Sequence, residues 1–453
     1  MLTDKYARLA GLAVASALCG VAVAAWGVWA AVAIIVLVVA LTLLRDGLPA
    51  LVLAYVATRP AADVFIRQSI AGLSPGQIWA LGLLALTLAW GLSLYPRIMH
   101  ELLPLGVLLA VYAVLGVLRG DAIVALERGA RILSWAALVP VAGTALQTGV
   151  DHRWVLRSGY GFALLACAVA GYSFMTGRYG ESYYVPGSRL TLEYQAPHAL
   201  ATMLVLASPF VLYALLSSRS WHRWVHAGVL TLLTALTVLS LVRSSVLALA
   251  VLLLVAIAEV TRRGSKRQRS TVVITAFLLL GVWIRFQSVI LQRLSELLPG
   301  RASPESLGSG RGLFWSALLK EAIGRPASAI IGMGGGADRA IIAASTGLQI
   351  GAHSDPLELL AVGGFVLFSA YVFFLYVPVS RALGCLRSGG SDDATNLGIA
   401  IVAGAAGFSV LALTNGAMGY QGSVAFGLLG ALGLWLPYLQ QAEERESIGG
   451  HVL

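Results

Sequence analysis

His353 is the residue of this chain best placed to move a proton. It lies in Gly351-Ala-His-Ser-Asp-Pro-Leu-Glu358. Asp355 reads as an N-cap, Pro356 suits a first helical position, and Glu358 completes a capping-box pattern, so a helix is predicted to start just after the histidine. The positive end of that helix would favour neutral imidazole, the form a general base needs. The plainer reading is an interfacial His bonded to a loop carbonyl.

Three arginines have the chemistry to meet an anion. Arg243 stands in Val238-Leu-Ser-Leu-Val-Arg-Ser-Ser-Val246, within a 225–260 stretch too long to run without a turn. Ser240, Ser244 and Ser245 mark that turn, which puts Arg243 at the tip of a tight helical hairpin. An arginine near the bilayer is a functional candidate, or else it snorkels to lipid phosphate. Arg311 follows a Gly308-Ser-Gly turn. Arg189 shares segment 177–198 with Tyr179, Tyr183, Tyr184, Tyr194 and His198. Tyrosine beside arginine suits sugar stacking and phosphate pairing, and equally an aromatic belt. Of the basic residues 28 are Arg and 3 are Lys. Guanidinium forks match phosphate better than ammonium does, although high-GC codon bias gives the same skew.

Missing patterns narrow the chemistry. No GK[ST] phosphate loop, HExxH or GxSxG occurs, and no Asp-x-Asp falls in an outer loop. Glu296, Glu305, Glu321, Asp338, Asp355 and Glu358 are scattered, whereas a divalent ion wants clustered ligands. The expectation is a metal-independent reaction with no cofactor. Carboxylates are nearly absent from the apolar runs, unlike a proton-coupled carrier.

The elements that must hold these residues are membrane helices. Of 453 residues 58% are hydrophobic and 11% charged, with a mean hydropathy of +0.84. A soluble domain carries about 25% charge. Composition therefore excludes a soluble enzyme, a nucleic-acid binder and a disordered scaffold as primary readings. The net charge of +10 reports topology and anionic ligands rather than nucleic acid. Cys19, Cys167 and Cys385 suggest no disulfide framework.

Apolar runs predict spans near 76–95, 102–118, 132–149, 158–176, 199–216, 225–241, 246–260, 270–286, 357–379, 397–414 and 424–439. Residues 9–58 add one crossing or three. The expected fold is an all-α polytopic membrane protein of about 12, up to 14, transmembrane helices. Four regions follow: 1–286 of N-terminal helices, a large periplasmic loop 287–356, C-terminal helices 357–440 and a cytoplasmic tail 441–453. With a cytoplasmic N-terminus, 16 of the 31 basic residues fall on the inner side. The opposite short loops hold 8, among them Arg128, Arg131, Arg189 and Arg243, a two-to-one bias that supports this orientation. Seven more, Arg339 included, lie in or at the edge of the large loop. Long loops escape the positive-inside rule, which accounts for these but not for Arg189 and Arg243, so part of the outer charge is expected to meet an anionic substrate. In that loop 313–323 predicts an amphipathic helix with Phe314, Ala317, Leu318 and Ala322 on one side. Residues 332–336 read as flexible, and 337–346 as a second helix.

These residues resemble the O-antigen ligase and polymerase superfamily of bacterial envelopes, most closely the lipopolysaccharide O-antigen ligases. The shared pattern is a set of spans with a large late periplasmic loop and Arg243-Ser244 at a Ser-rich hairpin tip. Gly310-Arg311 then opens the loop ahead of Trp315, and Ala352-His353-Ser354 closes it. The match covers roughly 180–380. Ser354 stands where Asn is common, and Val242 where Ser is. The resemblance implies a Gram-negative inner-membrane glycosyltransferase whose active site faces the periplasm. It implies inverting transfer of a glycan from undecaprenyl pyrophosphate to a sugar hydroxyl of lipid A–core. In that scheme His353 is the base, Arg243, Arg311 and Arg189 meet the pyrophosphate, and Tyr184, Tyr194 and Trp315 are sugar or acceptor contacts. An O-antigen polymerase and a protein O-oligosaccharyltransferase use the same donor. A lipid-glycan transporter is the non-enzyme alternative.

Overall fold

The computed structural model describes residues 47–62, 75–175, 179–182, 185–190, 197–218, 221–295, 311–347, 350–419 and 422–449. Two compact units are present, Met1–Tyr55 and Val56–Leu453. The short apolar helix α1 (Gly47–Ala57) is the described part of the expected 9–58 crossings. The remaining helices are α2 (Arg59–Ala62), α3 (Pro75–Ser93), α4 (Met99–Tyr112), α5 (Ala122–Ala136), α6 (Leu138–Gln147), α7 (His152–Met175), α8 (Pro197–Ser217), α9 (His222–Leu239), α10 (Arg243–Arg263) and α11 (Lys266–Ser295). The large loop contributes α12 (Arg311–Gly324), α13 (Pro326–Ile331) and α14 (Ala337–Thr346). The chain then runs through α15 (Asp355–Ser388), α16 (Asp392–Asn415) and α17 (Ser423–Gly449). One antiparallel hairpin, β1 (Tyr179–Ser182) with β2 (Val185–Leu190), interrupts the helical order.

Among the described residues nine helices are long and apolar enough to cross a membrane, so the chain is a multi-pass membrane protein by helix length and hydropathy. They fall at nine of the predicted span positions, with α5 and α6 joined as one 26-residue span. Helices α9 and α11 occupy the other two positions, 225–241 and 270–286, outside that set of nine.

Local chemistry explains several boundaries. Asp121 caps α5 by accepting from the amides of Ile123 (2.9 Å) and Val124 (3.1 Å). Ser391 caps α16 through the amide of Ala394 (3.2 Å), and Asp392 and Asp393 favour the positive end of that helix. The α9–α10 turn is as tight as its serines predict. The Ser240 hydroxyl donates to Thr237 O (2.6 Å) and accepts from Val242 N (3.3 Å), while Leu241 takes a left-handed φ of 54°.

Helix α8 lies almost wholly inside the bundle. Helix α17 packs against α5 and α6 because it presents glycine at the crossing. A Cβ at Gly427 would sit 2.5 Å from the Trp135 carbonyl oxygen, so only glycine permits this approach. Trp135 itself anchors an aromatic group from four helices, with Phe374, Phe408 and Phe426 at centroid distances of 6.0, 6.0 and 6.2 Å.

The 332–336 segment corrects its reading as flexible. The amides of Met333, Gly334 and Gly335 donate to the carbonyls of Ala361 (2.8 Å), Val362 (2.8 Å) and Gly116 (2.7 Å), and Asp121 N donates back to Gly335 O (2.9 Å). Those carbonyls are exposed by two departures from α-helix: the π-turn Ala113–Val117 that ends α4, and the break in α15 at Gly364 (φ 62°, ψ −159°). Glycine serves here for close approach rather than mobility. A Cβ at Gly334 would lie 2.3 Å from the Arg119 backbone.

Candidate functional site

The peptide before His353 is held from both sides. The amide of Ala352 donates to Asp338 Oδ2 (3.1 Å), and its carbonyl accepts from the Trp315 indole Nε1 (3.0 Å). Trp315 is fixed in turn by α12, whose apolar face buries Phe314 and Leu318 with Ile342 of α14, Ala352 and Ala361. This is the face the 313–323 pattern predicts, with Lys320 and Glu321 outside it. His353 then turns through a left-handed φ of 50°, a conformation in which His is several-fold enriched among non-glycine residues.

Helix α15 begins differently from the predicted capping box. Ser354, not Asp355, occupies the N-cap position and makes no side-chain capping bond. The Asp355 carboxylate is buried and turns away, accepting from Met418 N (2.8 Å) and the Tyr371 hydroxyl (3.2 Å). Glu358 pairs with Arg128 Nη1 (2.7 Å). Burial decides the difference: both carboxylates find stronger partners inside the bundle than the helix's own first amides.

Arg128 of α5 is the centre of that arrangement. It also binds both oxygens of the fully buried Asp338, at 2.9 and 3.3 Å. One guanidinium thus ties α5, α14 and α15 together and, through Asp338, orients the 351–353 loop. Beside it opens a cavity of about 220 Å³, lined by His353 with Arg128, Arg131, Arg339, the carboxylate of Glu358, Asn415 and the 416–419 turn. Trp135 Nε1 donates to Met418 O (3.3 Å) beneath that turn.

Arg311, Trp315 and His353 lie near one another where α12, the 351–354 loop and the end of α16 meet. Arg311 bonds the carbonyl of Thr414 and, at 3.5 Å, Asn415 Oδ1, so it caps the C-terminus of α16. Arg243 reaches the same level by helix pairing. Gln268 Nε2, just beyond α10, donates to Asn396 Oδ1 early in α16 (2.6 Å), and Gly407 of α16 meets Leu252 and Ala248 of α10. The two helices are therefore antiparallel, and extending that ladder sets Arg243 opposite Thr414 and Asn415. Arg189 lies in β2, paired with Gly180, and that strand runs beside α7 and α9. Tyr184 and Tyr194 lie outside the described residues. In the sequence Arg128, Arg131 and Arg339 read only as outer charges, and Asp338 only as a scattered carboxylate.

The electrostatics favour an unprotonated base. Burial first, and the Arg311 guanidinium second, push the His353 imidazole down to about 4, while Asp338 pulls it up. The neutral imidazole expected from the sequence thus has another main cause, since burial and Arg311 replace the helix terminus. Chemically, the cavity offers a proton acceptor beside Arg131 and Arg339, with Arg128 already paired to Asp338 and Glu358. Among the described residues no three His, Cys, Asp or Glu side chains gather as a metal site requires. The chain matches no protein-family model and no curated protein.

Proposed function

We propose that this multi-pass protein is a metal-independent glycosyltransferase acting on a polyprenyl-pyrophosphate-linked glycan. In the closest form of this reading it is an O-antigen ligase of the Gram-negative inner membrane, working on its periplasmic side with lipid A–core as acceptor. The observation that carries the proposal is the neutral, backbone-pinned His353 in a cavity that also presents Arg131 and Arg339.

The reaction needs two things of the protein. The acceptor hydroxyl must lose its proton as its oxygen attacks the anomeric carbon, and the His353 imidazole takes that proton. The anomeric carbon–oxygen bond breaks on the opposite face, and the electron pair leaves on the pyrophosphate, which stays on its lipid. Guanidiniums already in position stabilise that growing charge without a metal. Attack opposite the leaving group inverts the anomeric centre. Because the donor is already activated, no nucleotide is consumed.

An imidazole at about 4 is a weak base. Binding the pyrophosphate offsets the Arg311 charge and raises the basicity of His353 when the acceptor is present. The test is reconstitution of purified protein with lipid-linked glycan and lipid A–core, with and without ATP and EDTA. Transfer in the presence of EDTA and without ATP is expected. Absence of transfer with this donor, or a strict need for ATP, overturns the proposal.

A further inference from the structure

A second and larger cavity, of about 680 Å³, lies at the other end of the helices. Asn396 lines it and Asn415 lines the His353 cavity, so most of the length of α16 separates the two. Its polar rim carries Arg153, Arg157 and Arg267 against Asp392 and Asp393. The rest of its lining is partly apolar, with Leu156, Leu164 and Phe210 from α7 and α8.

The polar groups are already sorted. Asp393 accepts from the Tyr213 hydroxyl (2.7 Å), and Asn396 joins Gln268 (2.6 Å) to Ser217 (3.2 Å). Arg267 differs. Its Nη2 is sealed from solvent and meets no hydrogen-bond partner among the described residues. The rest of that side chain lines the cavity and pairs with no carboxylate among the described residues, so its charge is open to an anion there.

The setting identifies the class of anion. Trp154, Trp221 and Trp224 are exposed at this end, and Arg157 and Arg223 lie over Trp154 and Trp224 at 5.7 and 5.5 Å. That is the pattern of a membrane–water boundary. Leu164, which lines the cavity, is also exposed on the flank of the apolar helix α7, where acyl chains would lie. Three arginines against two aspartates leave one net positive charge.

We infer that this cavity binds an anionic phospholipid, its phosphodiester on Arg267 and Arg157 and its acyl chains beside Leu164. A singly charged headgroup such as phosphatidylglycerol fits the charge, and a basic recess between helices is where such headgroups dock. The inference is independent of the proposed transfer reaction.

The test uses purified, delipidated full chain. Phosphatidylglycerol, phosphatidylcholine with the same acyl chains, and soluble glycerol phosphate are titrated separately, with retained lipid counted by native mass spectrometry. Phosphatidylglycerol should bind about tenfold more tightly than phosphatidylcholine and raise the melting temperature. R267Q should abolish that preference, while R267K keeps part of it. Unfolding of each variant without added lipid should match the wild type, which separates lost binding from lost fold. Equal binding of the two lipids overturns the inference, as does an unchanged preference in a folded R267Q protein. Glycerol phosphate binding as tightly as the lipid also overturns it and assigns the cavity to a soluble phosphate ester.

Discussion

The indole nitrogen of Trp315 donates to the carbonyl of Ala352 at 3.0 Å, one peptide before His353. Trp315 thereby acts on the imidazole through the backbone. Removing this donor while keeping an aromatic ring isolates that effect. Trp315→Phe should lower transfer about 5-fold, the equivalent of one net hydrogen bond of ~1 kcal/mol. The melting temperature should hardly move. Transfer at the wild-type rate would show that the 351–353 loop is positioned without Trp315.

His353→Ala should reduce transfer by ~10²-fold or more, as loss of a general base does. The variant should insert and unfold like the wild type. A purified variant with near-normal transfer would remove His353 from the mechanism.

The acidity of His353 predicts an asymmetric pH profile. With its imidazole at about 4, the free protein keeps the neutral form of His353 well below neutrality. Lowering pH to about 5 leaves roughly nine-tenths of His353 unprotonated, so kcat/KM should not fall there because of this residue. Bound pyrophosphate raises the imidazole pKa, and the acid limb of kcat should therefore lie at higher pH than that of kcat/KM. Coincident limbs would sink the coupling between His353 and the anion. A histidine NMR titration that places the free imidazole near 6.5 would contradict its burial.

Arg243 and Arg311 can be told apart by lysine. Arg311 bonds two acceptors at the end of α16, a fork that lysine cannot reproduce. Arg311→Lys should therefore lower both stability and transfer. Arg243→Lys should insert normally but transfer poorly, if its guanidinium meets the leaving group. Wild-type transfer in both variants would return these residues to topology and packing. Within the cavity wall, Arg339→Ala should raise the KM for the donor with little change in unfolding, because Arg339 is exposed.

Gly335→Ala tests the pinned loop. The new Cβ would lie 2.6 Å from Asp121 O and 2.8 Å from Ala125 Cβ. Forcing backbone apart in this way costs typically 1–3 kcal/mol. A clear drop in melting temperature in detergent is expected, and an unchanged one would mean that the loop does not bear on the α4–α15 junction.

The helices were legible because the bilayer imposes one strong rule on composition and length. The helical face of 313–323 could be read for the same reason, since its period survives in a short segment. The importance of Arg128 could not be read. Its partners Asp338 and Glu358 lie more than two hundred residues away in sequence, and nothing local marks them. The capping pattern at Asp355–Glu358 misled because local propensity yields when a buried carboxylate finds a better partner. The glycines at 332–336 misled in the same way, as their pattern carries no trace of the carbonyls freed by the π-turn and the break at Gly364.

The cavity beside His353 takes its walls from α5, from the 339–358 region and from the turn after α16. These segments leave the ribosome far apart in time. The recess must therefore wait for α16 and the turn after it, since residue 419 has to be synthesised before it closes. A chain truncated just after α15 would contain His353, Arg311 and Trp315 and yet have no enclosed site. Supplying α16 and α17 as a separate fragment should restore one, so the protein is suited to split-chain complementation at the 388–392 junction.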